Sequence, residues 1–318
     1  MSTPSPAVSV IIPCLNAEET LADAINSALT QTVPPLEVLV IDDGSTDRSV
    51  AVAASFGPIV RILQNDIGGP GAARRIGVSE ARGEHIAFVD ADDALDPTKH
   101  EKQLAALAYR PVHTVVHTGA TIFWSDNRHP PVNRPGGEQA TGRCLRTVFE
   151  RNPVCGASTM LRRSLLLELG NYDPDLFGTE DFGMSLMAAS CCDFVYLPEP
   201  LYRIRRHESN LSSRPCHMAY MHWLAQERFR LRKPEAFAQL PAESVRQCMI
   251  EPVVRAVKEA HYRRDTDDYA RLLRLARRLA PRDAEIRRMW HKRWIPTGVL
   301  RTWDRMSSGL HAPAAEAS

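Results

Sequence analysis

The sequence predicts an α/β fold built on a parallel sheet, and three observations support that expectation. Short apolar runs rich in β-branched residues alternate with segments whose apolar residues recur at helical spacing. Polar clusters follow several of these runs at their C-terminal ends, where open α/β sheets bind ligands. Beyond Ser212 the pattern turns entirely helical. With 318 residues and 44% hydrophobic content, the chain has ample material for a core.

The run "VSVIIP", Val8 to Pro13, reads as a buried strand closed by proline. From Ala17 to Gln31, Leu21, Ile25, Ala28 and Leu29 fall on one helical face. The alternation continues with "LEVLVID" as strand, Ser45 to Phe56 as helix, "PIVRIL" as strand, Gly71 to Ala81 as helix and "EHIAFVD" as strand. Four strands separated by single helices imply parallel pairing through right-handed crossovers. After Pro97 a helix runs to about Tyr109, followed by the strand "VHTVVHTGATIFW" and a polar, Pro/Gly-rich loop from Ser125 to Gly142. A strand "ASTML", a helix over Ser164 to Leu169, the acidic "GTEDFGMSLMAA" and the run "DFVYLPEPLYRIRRHESNLS" complete this part. In the helical remainder, Ala270 to Ala280 is the clearest amphipathic piece, and the "APAAEAS" tail reads as disordered.

Composition narrows the function classes. No apolar run approaches the roughly 18 residues of a spanning helix, and "MSTPSP" lacks the basic and apolar regions of a signal peptide, so a cytoplasmic location is expected. Seven scattered cysteines without a C-x-x-C pair fit neither a disulfide framework nor a zinc site. The net charge of +1 conceals about −8 before Ser212 and about +9 after it. No nucleic-acid recognition motif accompanies the basic part; its arginines with Trp290, Trp294 and Trp303 suit peripheral contact with an anionic membrane surface, or a solvated helical face.

Four clusters carry chemistry. "DADD" places Asp90, Asp92 and Asp93 at a strand end, and oxygen donors in that pattern favour Mg²⁺ or Mn²⁺ completed by substrate phosphates. Asp96 before Pro97 is explained by helix capping alone. In "IDDGSTD", Asp42 or Asp43 suits a base or ribose hydroxyl, although Asp-Gly-Ser is also ordinary turn chemistry. "GGPGAARRIG" brings close-approach glycines and Arg74 for an anion, in an order that departs from the dinucleotide fingerprint. "TED" sets Glu180 and Asp181 at a helix start, where the dipole also favours them, and "YRIRRHES" ends a strand with Arg205, Arg206 and His207.

In their order these motifs resemble the inverting glycosyltransferases of family 2. The blocks "VSVIIPCLN", "EVLVIDDGSTDRS", "NDIGGPGAARRIG", "GEHIAFVDADDALDP", "GTEDFGMSLMA" and "YRIRRHESNLS" span about Ala7 to Ser213. The resemblance implies a GT-A fold over 7–212, with a Rossmann-like, mostly parallel sheet flanked by helices, and a basic helical extension over 213–310. It implies that Pro13 and Asn16, with Asp42 or Asp43, bind the nucleoside and that Arg74 lies by the nucleotide. Asp90 would meet the ribose and diphosphate and share a metal with Asp92; read from the residues alone, Arg205 would hold the diphosphate and His207 ligate the metal, or the pair would form a solvated basic edge. Asp181 would be the catalytic base, with Glu180 shaping the acceptor site.

The implied partners are an NDP-sugar, a UDP-sugar first among them, Mg²⁺ or Mn²⁺, and a glycan or lipid-linked glycan acceptor. Leu15 stands where the family often carries an aromatic, and Ala73-Arg74-Arg75 replaces the usual "ARN", which bears on the choice of nucleotide. Two competing classes are a nucleotidyltransferase and a non-catalytic sugar-nucleotide-binding module. The first usually has a basic, Gly-rich loop after strand one, whereas "PCLNAEE" is acidic; the presence of both Asp92 and Asp181 argues against the second.

Overall fold

The computed structural model describes residues 7–124, 129–133, 139–206, 215–263 and 269–292. Strands β1 (Val8–Cys14), β2 (Glu37–Asp42), β3 (Val60–Gln64) and β4 (His85–Phe88) are connected by α1 (Leu21–Leu29), α2 (Ser49–Ala54) and α3 (Pro70–Glu80). They pair in parallel in the order β3-β2-β1-β4. β1 and β2 are buried along almost their whole length, as strands covered on both faces must be, which is why they read as unbroken apolar runs. Helix α3 crosses β1 at Gly77, where a Cβ would stand 2.5 Å from Ile11.

The rest of the sheet comprises β5 (Ala94–Leu95), β6 (Thr114–Trp124), β7 (Val132–Asn133), β8 (Met160–Arg162) and β9 (Asp193–Arg206). Interspersed among them are α4 (Lys99–Leu107), α5 (Leu145–Arg151), α6 (Arg163–Glu168) and α7 (Glu180–Ala189). The strand order is β3-β2-β1-β4-β8-β6-β9-β5, with β7 on β6. The expected parallel pairing holds for β1 to β4 and recurs in β6/β9, whereas β8 runs antiparallel to both β4 and β6 and makes the sheet mixed. The expected strand over "ASTML" is instead a 3₁₀ turn, Gly156–Ser158, followed by the short β8. Of the loop expected from Ser125 to Gly142, Val132–Asn133 pairs with β6, while residues 125–128 and 134–138 lie outside the described residues.

The C-terminal helices are α8 (Pro215–Arg232), α9 (Pro234–Phe237), α10 (Ala242–Val245), a π-helical turn at Arg246–Ile250, α11 (Glu251–Arg263), α12 (Tyr269–Leu279) and α13 (Ala284–Lys292). The chain forms two compact units, and the expected break at 212/213 is only partly the real one. Met221–Ser244 return to the first unit, and the second comprises Arg214–Tyr220 and the residues from Val245 onward. Local packing explains the return: Phe237 lies edge-on to Phe149 at 6.1 Å, and Arg232 donates to the Leu169 carbonyl at 2.8 Å. In the second unit α12 buries Leu272, Leu273, Leu275 and Ala276 and exposes Arg271, Arg274 and Arg278. The expected contact with an anionic surface rests on the arginines of this part together with Trp290, Trp294 and Trp303, of which Trp294 and Trp303 lie outside the described residues. Among the described residues no helix is long and apolar enough to cross a membrane.

One residue of the first unit opposes folding. Lys99, in the first turn of α4, is fully buried, and its Nζ has no hydrogen-bond partner. Burial pushes its amine down from 10.5 to about 7. Between those values the unfolded chain binds the extra proton, so this group's contribution to stability rises with pH across that window and is most unfavourable below it. Lys99→Met should therefore raise the thermal midpoint at pH 7, by a stabilisation of a few kcal/mol, with a smaller gain near pH 10. Equal gains at both pH values would show that the amine is not the cause.

Candidate active site

The C-terminal ends of β1, β2 and β4 and the starts of α3 and α7 open onto one cleft of about 940 Å³. Pro13, Asn16, Asp43, Arg74, Asp90, Asp92, Glu180, Asp181 and Arg205 all line it, so residues from six separate sequence blocks meet in one place. Asn16 adopts a left-handed conformation with φ of 49°. Its Oδ1 accepts from the Thr46 backbone N–H at 2.8 Å, and its own N–H donates to Ser45 Oγ at 3.0 Å, which ties the β1 and β2 loops together.

The two aspartates of "IDDGSTD" separate. Asp42 is 2% exposed, accepts from the Ser45 N–H and Gln64 Nε2, and is not among the residues lining the cleft. Asp43 does line the cleft. Both of its oxygens accept from the Gly69 N–H, at 3.0 and 2.8 Å, and Oδ1 also takes Asn65 Nδ2 at 2.6 Å. Gly69 has φ of 89°, a conformation that favours glycine, and it presents this amide at the start of α3.

Arg74 is the centre of the cleft. Its side chain is 4% exposed; Nη2 donates to Asp90 Oδ1 at 2.7 Å, Nη1 to Glu180 Oε1, and Nε lies 3.6 Å from Asp181 Oδ1. Burial disfavours its charge, but Asp181, Asp90 and Glu180 outweigh that effect and hold its pKa well above the ordinary value. The guanidinium expected beside the nucleotide is thus committed to organising three carboxylates. The approach is possible because Gly71, in the first turn of α3, abuts the Asp173 carbonyl and Glu180 Cβ, where a side chain would stand 2.8 and 3.2 Å away.

The "DADD" turn divides by partner. Asp90, paired with Arg74, keeps 40% of its side-chain surface open to the cleft. Desolvation in this recess pushes its carboxyl up to about 6, helped by the charges of Asp181 and Asp92 and opposed by Arg74. Asp93, for which sequence reading offers no role, is buried. Its carboxylate accepts from the Tyr202 hydroxyl at 2.7 Å and the Arg205 N–H at 2.7 Å, and burial pushes it up to about 8. Arg205 also donates from Nε to the Asp92 carbonyl at 2.8 Å and from Nη2 to Asp23 at 3.0 Å. It therefore buttresses the metal-candidate turn from behind. His207 lies outside the described residues.

Glu180 is 6% exposed on its side chain, with its carboxyl pushed upward by burial against the pull of Arg74. Asp181 keeps 30% of its side chain accessible to the cleft. Against the guanidinium groups of Arg74 and Arg205 the cleft gathers Asp90, Asp92, Glu180 and Asp181, an excess of carboxylates that a cation would complement. Among the described residues no three His, Cys, Asp or Glu side chains form a closed cage. The available donors, Asp92 with Asp90, instead fit Mg²⁺ or Mn²⁺, which bind through one or two carboxylates and complete their shell with water and phosphate oxygens.

The cleft lies at the C-terminal ends of the parallel strands, where open α/β sheets bind their ligands. The model of glycosyl transferase family 2 matches residues 9–170, and the chain belongs to that family: it is a glycosyltransferase. An uncharacterized glycosyltransferase of Rickettsia typhi is 25% identical over 215 residues, covering 67% of this chain and 68% of the relative. The uncharacterized glycosyltransferase EpsJ of Bacillus subtilis is 30% identical over 221 residues, covering 66% and 64%. The fold is similar to that of S. aureus TarS 1–349, with a TM-score of 0.55, 18% identity and coverage of 84% and 90%. It is likewise similar to TarS 1–349 solved with UDP-GlcNAc, with a TM-score of 0.58, 20% identity and coverage of 79% and 81%. The fold is therefore GT-A, with the helices at its C-terminus.

Proposed function

We propose that this enzyme moves a sugar, with inversion, from a UDP-sugar to an acceptor hydroxyl on a glycan or lipid-linked glycan. The observation that carries the reading is that Arg74 joins the end of β4 to the start of α7, so the donor-side Asp90 and the acceptor-side Glu180 and Asp181 share one cation. The likeness of fold to TarS, solved with UDP and with UDP-GlcNAc, supports a uridine nucleotide.

In this reading Pro13, Asn16 and Asp43 line the nucleoside end, and Asp90 faces the ribose and diphosphate. Asp92 and Asp90 hold the divalent cation, which when bound supplies Lewis-acid neutralisation of the leaving diphosphate. Asp181 accepts the proton of the acceptor hydroxyl as it attacks the anomeric carbon, and its open edge faces the cleft where that hydroxyl arrives. Glu180, turned inward to Arg74, sets the geometry of the acceptor wall. A single displacement opposite the leaving diphosphate inverts the anomeric centre, and the sugar passes through an oxocarbenium-like state, as in glycoside hydrolysis.

The test is release of UDP from a panel of UDP-sugars, with and without Mn²⁺, by the wild-type chain and by Asp92→Asn. Metal-stimulated UDP release by the wild type, lost in Asp92→Asn, is expected. Unchanged Mn²⁺ stimulation in the variant would remove Asp92 from the metal site, and release by neither protein with any UDP-sugar would refute the donor class.

A further inference from the structure

Gly156 is a residue to which sequence reading attaches no function, and it touches the proposed base. A Cβ built on it would stand 2.1 Å from Asp181 Cγ, 2.2 Å from Oδ2 and 2.6 Å from Cβ. This is not a demand of backbone conformation, since Gly156 is absent from the positive-φ residues. What is needed is room: the carboxylate of Asp181 lies directly on a bare Cα.

The Gly156 side is held by its own hydrogen bonds, so the adjustment falls on Asp181. The Gly156–Ser158 turn is held by the Ser158 N–H on the Cys155 carbonyl at 2.9 Å and by Ser158 Oγ on the same carbonyl at 2.7 Å. Thr159 Oγ1 donates to the Gly156 carbonyl at 2.6 Å, and Gln103 Nε2 to the Ser158 carbonyl at 2.9 Å. Asp181 is fixed on its own side by the first turn of α7 and by Arg74 Nε at 3.6 Å. Apart from the main cleft, the space adjoining the carboxylate is a small pocket of about 20 Å³, lined by Thr159, Tyr172 and Ser185 among others. A methyl group at 156 must therefore move the carboxylate away from Arg74, or turn it out of line with the cleft.

We propose that Gly156 is a positioning residue for the transfer step: its bare Cα is the stop against which Asp181 is held at the angle the acceptor hydroxyl requires. The inference rests on the base role of Asp181 and adds a second residue, 25 positions earlier in the chain, that sets its orientation. A displacement of about 1 Å at a reacting group lowers turnover by about 100-fold.

The experiment measures kcat, donor KM and the thermal midpoint for Gly156→Ala, Asp181→Ala and the double variant. Gly156→Ala is expected to lose about 100-fold in kcat with donor KM near the wild-type value, because Gly156 does not line the donor cleft. It should also lower the thermal midpoint in the wild-type background and lower it far less when residue 181 is alanine, since the collision partner has then been removed. If Gly156→Ala alone does not fold but the double variant does, the contact is established by that rescue. Equal loss of midpoint in both backgrounds, or a kcat near wild type, would overturn the proposal. Failure of the base reading looks different: Asp181→Ala would keep near-normal turnover while the stability coupling between 156 and 181 persisted.

Discussion

Asp181→Asn is expected to lower kcat by about 100- to 10,000-fold while leaving the donor KM close to wild type. The substitution keeps the shape of the side chain, so its seat against Gly156 is unchanged. What it removes is the ability to accept a proton in the transition state. The acceptor hydroxyl is then a poor nucleophile, because nothing takes its proton as the new bond forms. The donor contacts proposed above, on Asn16, Asp43 and Asp90, do not include this carboxylate. Steady-state kinetics with separate variation of donor and acceptor decide the matter. A fall confined to donor affinity would place Asp181 on the nucleotide side, and normal turnover would end its role as base.

Arg74→Met should have the second large effect, on stability as well as on activity. The guanidinium is 4% exposed and touches Asp90, Glu180 and Asp181 at once. Its removal leaves a buried carboxylate cluster without a counter-charge, which costs about 3–5 kcal/mol when a buried pair is broken from one side. The expected result is a large drop in thermal midpoint, partly recovered at low pH as the carboxylates protonate, together with loss of turnover. Arg74→Lys should recover only part of both, because a single ammonium cannot span the fork from Asp90 to Glu180. A midpoint within a degree or two of wild type in Arg74→Met would mean that the cluster is balanced by other groups.

The elements legible from sequence were those whose signal is local. β1, β2 and β4 are nearly continuous apolar runs because both faces are covered, and the crossover helices carry their own periodicity. Asp90 and Asp92 stood out because capping explains one aspartate of the turn and not three, whereas Glu180 and Asp181, which the helix dipole alone would favour, stood out through the resemblance to family 2. What escaped was everything decided by a distant partner. Arg74 meets Glu180 across 106 positions, and Asp93 meets Tyr202 across 109, so no spacing rule connects them. The same reason hid Gly156, whose reading changes only when Asp181 is seen against it. The return of Met221–Ser244 to the first unit was illegible because helical periodicity shows which face is apolar, not which neighbour covers it.

The clamp on Asp43 has a bearing on binding. Its two oxygens already hold the Gly69 amide and Asn65, so the loop after β2 and the start of α3 are joined before any ligand arrives. A nucleotide entering the cleft meets a wall whose shape was fixed during folding, and little configurational freedom remains to be lost on association. On the reading proposed above, this part of the nucleoside wall is a standing template, and selectivity there is a matter of steric and hydrogen-bond fit.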